Sequence, residues 1–149
     1  MFVYSDGGRE ESGYKGSTGD CVVRSIAIIT ELPYKLVYKE LFERAKAFSK
    51  GRCKVAKSIK KKGASPRNGV NRKVYEKFLF ELGFIWVPKM KIGSGCTVHL
   101  KKDELPKGRV IASLSKHLVA VIDGIIYDTY DCSQNGTRCV YGYYVLRKK

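Results

Sequence analysis

Histidine is nearly missing from this chain, with two among 149 residues, His99 and His117. Any imidazole base must be one of these two. Acidic side chains are scarce as well: 14 Asp+Glu face 29 Lys+Arg, a formal charge of +15. Such a surface attracts nucleic acid, anionic membrane or acidic proteins, and says nothing about fold or chemistry. No apolar run approaches the roughly 20 residues of a membrane span, so no membrane partner is expected. The stretch Met1–Gly8 has no basic segment leading into an apolar run, which predicts no secretory signal. The five cysteines, Cys21, Cys53, Cys96, Cys132 and Cys139, are odd in number and widely spread. With no export signal they are expected to be free thiols in a reducing cytoplasm.

What is present is enough for one core. The chain is 44% hydrophobic, which argues against disorder and against a cysteine-stapled miniprotein. Its length fits a single domain over 1–149, with no internal repeat and no boundary. Residues 1–19, rich in Gly, Ser and charge, predict an irregular lead-in. Cys21–Thr30 is apolar nearly all round, and Asp20 before it with Pro33 after it selects helix, Asp20 serving as N-cap. From Pro33, Tyr34, Val37, Tyr38, Leu41, Ala45 and Phe48 make one helical face. Lysine-rich 50–62 follows, and after Asn68-Gly69 a third helix carries Val70, Val74, Phe78, Leu79 and Leu82 to a stop at Gly83. Strands are then expected at 84–87, 109–115, 117–122, 125–130 and 139–146. Helices first and an antiparallel sheet second is an α+β order.

Cys21 would open the buried helix, where the half-positive N-terminus and its unpaired amides favour a thiolate and can hold an oxyanion. A small buried hydrophobe is the other reading of a free cysteine. The partner base follows from the hairpin. Asp123-Gly124 is a strong two-residue turn signal. It sets Ile122 opposite Ile125, His117 opposite Tyr130 and Val119 opposite Asp128. His117 and Asp128 then share a face as diagonal neighbours, about 7–8 Å apart at the backbone. A three-residue loop would reverse that parity. Asp131 falls on the other face, so Asp128 is the residue to orient His117. Two surface polar residues on a half-exposed strand pair is the alternative.

These residues carry a resemblance. Gly19-Asp20-Cys21-Val22-Val23-Arg24-Ser25-Ile26-Ala27, with His117–Gly124 and Tyr127-Asp128 downstream, looks like the papain-like cysteine peptidase superfamily. More narrowly the chain resembles short uncharacterised papain-like proteins of bacteriophages and other mobile elements. Segments 65–70, 91–96 and 136–143 share in that likeness. The Cys-to-His order is also similar to the leader-cleaving peptidases of bacteriocin exporters, and Gly-Asp-Cys-x-x-Arg-Ser to ovarian-tumour-type deubiquitinases. The resemblance implies an α+β papain-like domain whose nucleophile helix packs on a C-terminal antiparallel sheet. It implies Cys21 as nucleophile, His117 as general base and acid, and Asp128 as the orienting residue, with no cofactor. The family's usual glutamine before the cysteine is missing, because the one Gln is Gln134. Lys15 stands near that position, and Lys15, Thr18 or the backbone amide of Cys21 are the oxyanion-hole candidates.

Cys96, His99, Cys132 and Cys139 lack the two tight pairs of structural zinc, so no metal is expected. Gly93-Ser94-Gly95 is not followed by Gly-Lys-Ser/Thr and is no phosphate loop; segment 91–99 is expected near the active cleft. Lys54, Lys57, Lys60, Lys61 and Lys62 are candidates for a substrate or nucleic-acid surface, with a solvated face as the plain alternative. The expected function is a cytoplasmic thiol hydrolase acting on a peptide or isopeptide bond of a protein substrate, in the host cytoplasm if phage-encoded. The alternatives are an inactive fold serving as a basic binding protein for nucleic acid or an acidic host protein, and a deamidase or acyltransferase using the same three residues. Oligomeric state is not legible.

Overall fold

The β-branched runs of the second half assemble one six-stranded sheet, and the amphipathic helices of the first half cover one of its faces. The computed structural model describes residues 2–14, 19–90, 93 and 95–147. Four helices occur: α1 (Cys21–Thr30), α2 (Tyr34–Ser49), α3 (Lys54–Lys62) and α4 (Arg72–Glu81). The strands are β1 (Phe2–Tyr4), β2 (Phe84–Pro88), β3 (Arg109–Leu114), β4 (His117–Ile122), β5 (Ile125–Asp128) and β6 (Gly142–Leu146). Their order across the sheet is β1-β5-β4-β3-β6-β2. The class is α+β.

Three sequence expectations change. The lead-in is not irregular throughout: Phe2-Val3-Tyr4 are good strand formers, and they pair parallel with Ile126-Tyr127-Asp128. The sheet is therefore mixed rather than antiparallel. Lysine-rich 54–62 is a helix, whose C-terminal lysines complement the helix dipole and whose N-terminus is capped by the Cys53 sulfur at 3.4 Å from the Ala56 amide. β5 stops at Asp128 and β6 starts at Gly142, both shorter than the apolar text suggested.

Strand alternation sorts the core into two layers. Ile111, Leu118, Ala120 and Tyr144 face the helices, packing with Val23 and Ile26 of α1, Val37 and Leu41 of α2, and Phe78 and Leu79 of α4. Val110, Ala112, Val119, Val121 and Ile126 face the other way, onto Leu100, Leu105, Cys132 and Val140 of the connecting segments. Among the described residues no helix is long and apolar enough to cross a membrane.

α1 is docked at both ends. The Ser25 hydroxyl sits between the carbonyls of Cys21 (2.5 Å) and Leu118 (2.9 Å), joining its first turn to β4. At the far end, the Arg109 guanidinium on β3 donates to the carbonyls of Ile28 and Ile29, each at 2.9 Å. These are carbonyls a helix leaves unpaired, so the arginine fixes the helix axis and neutralises its negative end.

Cys96 and Cys139 form a disulfide, which corrects the expectation of five free thiols. The Val140 amide donates to the Val98 carbonyl at 2.8 Å and His99 bridges to Cys139, so backbone pairing brings the two cysteines to a Cα separation of 5.8 Å. That spacing is ordinary for a disulfide. Cys21, Cys53 and Cys132 are the free thiols.

Candidate active site

The hairpin that carries His117 has the register its turn demands. Asp123 (φ 51°) and Gly124 (φ 78°) are both left-handed, as a two-residue turn of the hairpin type requires. Ile122 lies opposite Ile125, Val121 opposite Ile126 and Ala120 opposite Tyr127. His117 and Asp128 thus fall on one face, and their side chains meet at 2.6 Å, Nε2 to Oδ2. By parity with Val119 and Ile126 they belong to the sheet face opposite α1. The contact with Cys21 across that boundary is possible because His117 opens β4, at the end of the sheet beside the N-terminus of α1.

Cys21 is the first residue of α1, and it lines one cleft with His117 and Leu118, the residues that act on its thiol. Burial pushes the thiol pKa up, but the His117 hydrogen bond and charge, the Leu118 amide and the Arg24 charge outweigh it, and the net shift is downward from 9.0. His117 moves the opposite way. Burial disfavours its charged form, yet hydrogen bonds to Asp128, Cys132 and Cys21 raise its pKa to about 11. The two shifts run in opposite directions, each in the sense of a thiolate–imidazolium pair. Asp128, 3% exposed, stays ionised: burial opposes this, but His117, the Thr129 amide and Arg24 hold its pKa below 3.8.

A second carboxylate, Asp20, immediately precedes Cys21. Asp20 is fully buried and occupies the N-cap position, but its side chain does not cap α1. Its oxygens accept instead from Arg9 Nη1 (2.9 Å), the Tyr34 hydroxyl (2.5 Å) and Arg24 Nη1. The expected cap is corrected because two guanidinium groups attract a buried carboxylate more strongly than neutral amides do. The N-cap side chain thus makes no cap bond to α1, whose first amides are the groups that suit an anion at Cys21.

Arg24 ties the two acids together, with Nη1 on Asp20 and Nη2 on Asp128 Oδ1. The sequence reading passed over Arg24. The signal was there: one arginine in an otherwise apolar buried helix must find a carboxylate. Cys132, 1% exposed, was also missed as a neighbour of His117. Donor atoms of His117, Asp128 and Cys132 lie within 4.8 Å of one another. That trio suits a zinc-like cation by ligand type, with the Arg24 charge on Asp128 opposing one.

The remaining candidates divide. Lys15 and Thr18 lie outside the described residues. Asp131 is exposed and accepts from the Ser133 amide at 3.0 Å, away from His117. His99 bonds Glu104 at 3.1 Å and bridges to Cys139, whose sulfur is bonded to Cys96, so neither cysteine is a free thiol. A cleft of about 650 Å³ opens over Cys21 and His117, walled by Gly19, Asn71, Tyr75 and Tyr130 among others. Gly93 and Gly95, expected near this cleft, line a different cavity with Trp86 and Met90. Lys62 borders a smaller cavity of about 190 Å³ that shares Gly69, Val70 and Asn71 with the main cleft.

Comparisons with protein-family models, with curated proteins and with solved structures find no match to this chain.

Proposed function

We propose that the chain is a papain-like thiol hydrolase that cleaves a peptide or isopeptide bond of a protein substrate, of the kind phages and mobile elements encode. The observation that carries this reading is that Cys21 shares a cleft with His117, whose ring is bonded to Asp128 at 2.6 Å, the thiol pKa being lowered and the imidazole pKa raised.

The Cys21 sulfur attacks the substrate carbonyl carbon, forming the S–C bond as the C=O π pair moves onto oxygen. That oxyanion is received by the uncapped amides at the start of α1. With Nε2 held by Asp128, Nδ1 of His117 exchanges the proton. The imidazolium gives it to the leaving amine as the C–N bond breaks, leaving a thioester on Cys21. Neutral His117 then takes a proton from water, hydroxide adds to the thioester carbon, and the thiolate departs with the acid product. Asp128 keeps the ring oriented and stabilises its charged form through both steps. The reading needs Cys21 as a free thiol, which it is, while the Cys96–Cys139 disulfide weighs against the reducing cytoplasm expected from the sequence.

Iodoacetamide alkylation followed by peptide mapping tests it. Cys21 is expected to react faster than exposed Cys53 at pH 6–7, and Cys21→Ala to abolish hydrolysis of a reporter peptide pool. If Cys21 reacts no faster than Cys53, the reading is lost.

A further inference from the structure

The mechanism leaves the cationic wall of the cleft unused. Three basic side chains line it, Arg24, Arg72 and Lys116, and no carboxylate lines it among the described residues. Arg24 is neutralised from behind by Asp20 and Asp128. Arg72 is not fully occupied. Its Nε bonds Glu76 at 2.8 Å and its guanidinium lies flat over Trp86, 4.3 Å from the ring centroid. Arg72 lines both this cleft and the neighbouring cavity over Trp86. Lys116 is exposed at the tip of the β3–β4 turn, one residue before His117, and has no ion-pair partner among the described residues.

The positive surface continues beyond the cleft. Gly69, Val70 and Asn71 form the sill between the main cleft and the smaller cavity, whose far wall includes Ser58, Ile59 and Lys62 of α3. α3 carries lysines at 54, 57, 60, 61 and 62 and no acidic residue. A chain lying in the cleft and crossing the sill meets Lys116 and Arg72 first and the α3 lysines next.

We propose that this cleft selects acidic polypeptides: Asp or Glu side chains beside the attacked bond are bound by Arg72 and Lys116, and further acidic residues by α3. The proposal rests on the hydrolase reading. A nucleophilic thiol needs an acyl carbon, which a polypeptide supplies and a nucleic-acid backbone does not. α3 also offers no aromatic ring on which a base could stack. The function of the chain's charge is thereby local. It concentrates anionic substrate at the thiol, as a cleft lined by one sign of charge does.

The test compares two small reagents on the whole protein. Iodoacetate is anionic and iodoacetamide neutral, and both alkylate Cys21, so the ratio of their rates reports the field at the sulfur. In the Arg72→Gln/Lys116→Gln protein this ratio is expected to fall about fivefold at low ionic strength, and in wild type it should fall as salt is raised. Lys107→Gln, on an exposed loop away from the cleft, serves as the control and should leave the ratio unchanged. A ten-residue poly-Glu peptide is expected to protect Cys21 from iodoacetamide, and the triple change Lys57→Gln/Lys61→Gln/Lys62→Gln to weaken that protection. An unchanged reagent ratio in the double variant, with Cys21 still outpacing Cys53, overturns the acidic-substrate proposal and leaves the hydrolase reading intact. Slow Cys21 alkylation overturns the hydrolase reading itself. Better protection by a 20-base-pair DNA duplex than by poly-Glu also overturns the proposal, in favour of a nucleic-acid surface.

Discussion

Nη2 of Arg24 lies 3.1 Å from Oδ1 of Asp128, the carboxylate oxygen that His117 does not use. Oδ1 also accepts the Thr129 amide at 2.7 Å, while Oδ2 takes the imidazole. Three hydrogen bonds, two on Oδ1 and one on Oδ2, hold the carboxylate. The acid is thus tied to the helix that begins with Cys21, through the buried guanidinium of Arg24.

Asp128→Asn should keep the fold and lose the relay. The amide cannot hold a positive ring, so His117 falls back toward its ordinary value of 6.5 from about 11. Turnover is expected to drop by about 10²-fold or more, the scale for losing the orienting acid of a triad. NMR titration of His117 in the variant checks the cause. An imidazole still charged at pH 9 would be incompatible with this account.

Arg24→Ala should be costly to stability as well as to activity. It leaves two buried carboxylates, Asp20 and Asp128, short of their shared partner. Breaking a buried ion pair from one side costs about 3–5 kcal/mol. Arg24→Lys is expected to rescue little, since one ammonium cannot span both acids as a planar guanidinium does. Denaturant unfolding of the two variants gives the comparison.

The pH dependence has two limbs. The thiol pKa lies below 9.0, so alkylation of Cys21 should rise with pH earlier than that of an ordinary thiol. For stability, His117 has a folded pKa raised above 6.5, so its contribution is fully present below 6.5 and is lost as pH rises through about 11. Asp128 has a folded pKa below 3.8, so its contribution is present above 3.8 and is lost as pH falls through the lowered value. Because the groups are coupled, the midpoints belong to the relay as a unit. Unfolding free energies measured from pH 3 to 11 should flatten at both ends in a His117→Gln protein.

Gly142→Ala should destabilise the sheet without touching the relay. A Cβ there would fall 2.4 Å from the Trp86 ring and 2.7 Å from the Val87 carbonyl oxygen. The backbone contact cannot be relieved by a rotamer change, and overpacking of this kind costs about 1–3 kcal/mol. Thermal melting reads the loss. A melting temperature equal to wild type would mean that β2 and β6 are more loosely joined than their register implies.

Replacing both Cys96 and Cys139 by Ser should lower stability by up to about 4 kcal/mol, from the loop entropy that a 43-residue closure removes. Cys21 alkylation should persist in that protein. Chemical denaturation under non-reducing conditions supplies the comparison with wild type.

Legibility in the sequence followed the range of the physics involved. The 117–128 hairpin could be read residue by residue, because a two-residue turn fixes register and register fixes which side chains share a face. α1, α2 and α4 could be read from periodicity. The parallel seat of β1 on β5 could not, since nothing in Phe2-Val3-Tyr4 names its partner 124 positions away. The Asp20 side chain defeated a local rule for the same reason: its partners Arg9 and Tyr34 come from outside the helix it precedes. The Cys96–Cys139 bond escaped because it depends on backbone pairing between two irregular segments.

β6 lies inside the sheet, between β3 and β2, although it comes later in the chain than either. During synthesis, β2 has no place in the sheet until residues 142–146 leave the ribosome. Tyr144, which completes the helix-facing core beside Tyr75, arrives with them. A nascent chain that has already exposed Cys21, His117 and Asp128 therefore still lacks the wall that supports them. The proposed reactivity of Cys21 thus depends on the sixth strand, and a chain cut before Gly142 is expected to show the alkylation rate of an ordinary thiol there.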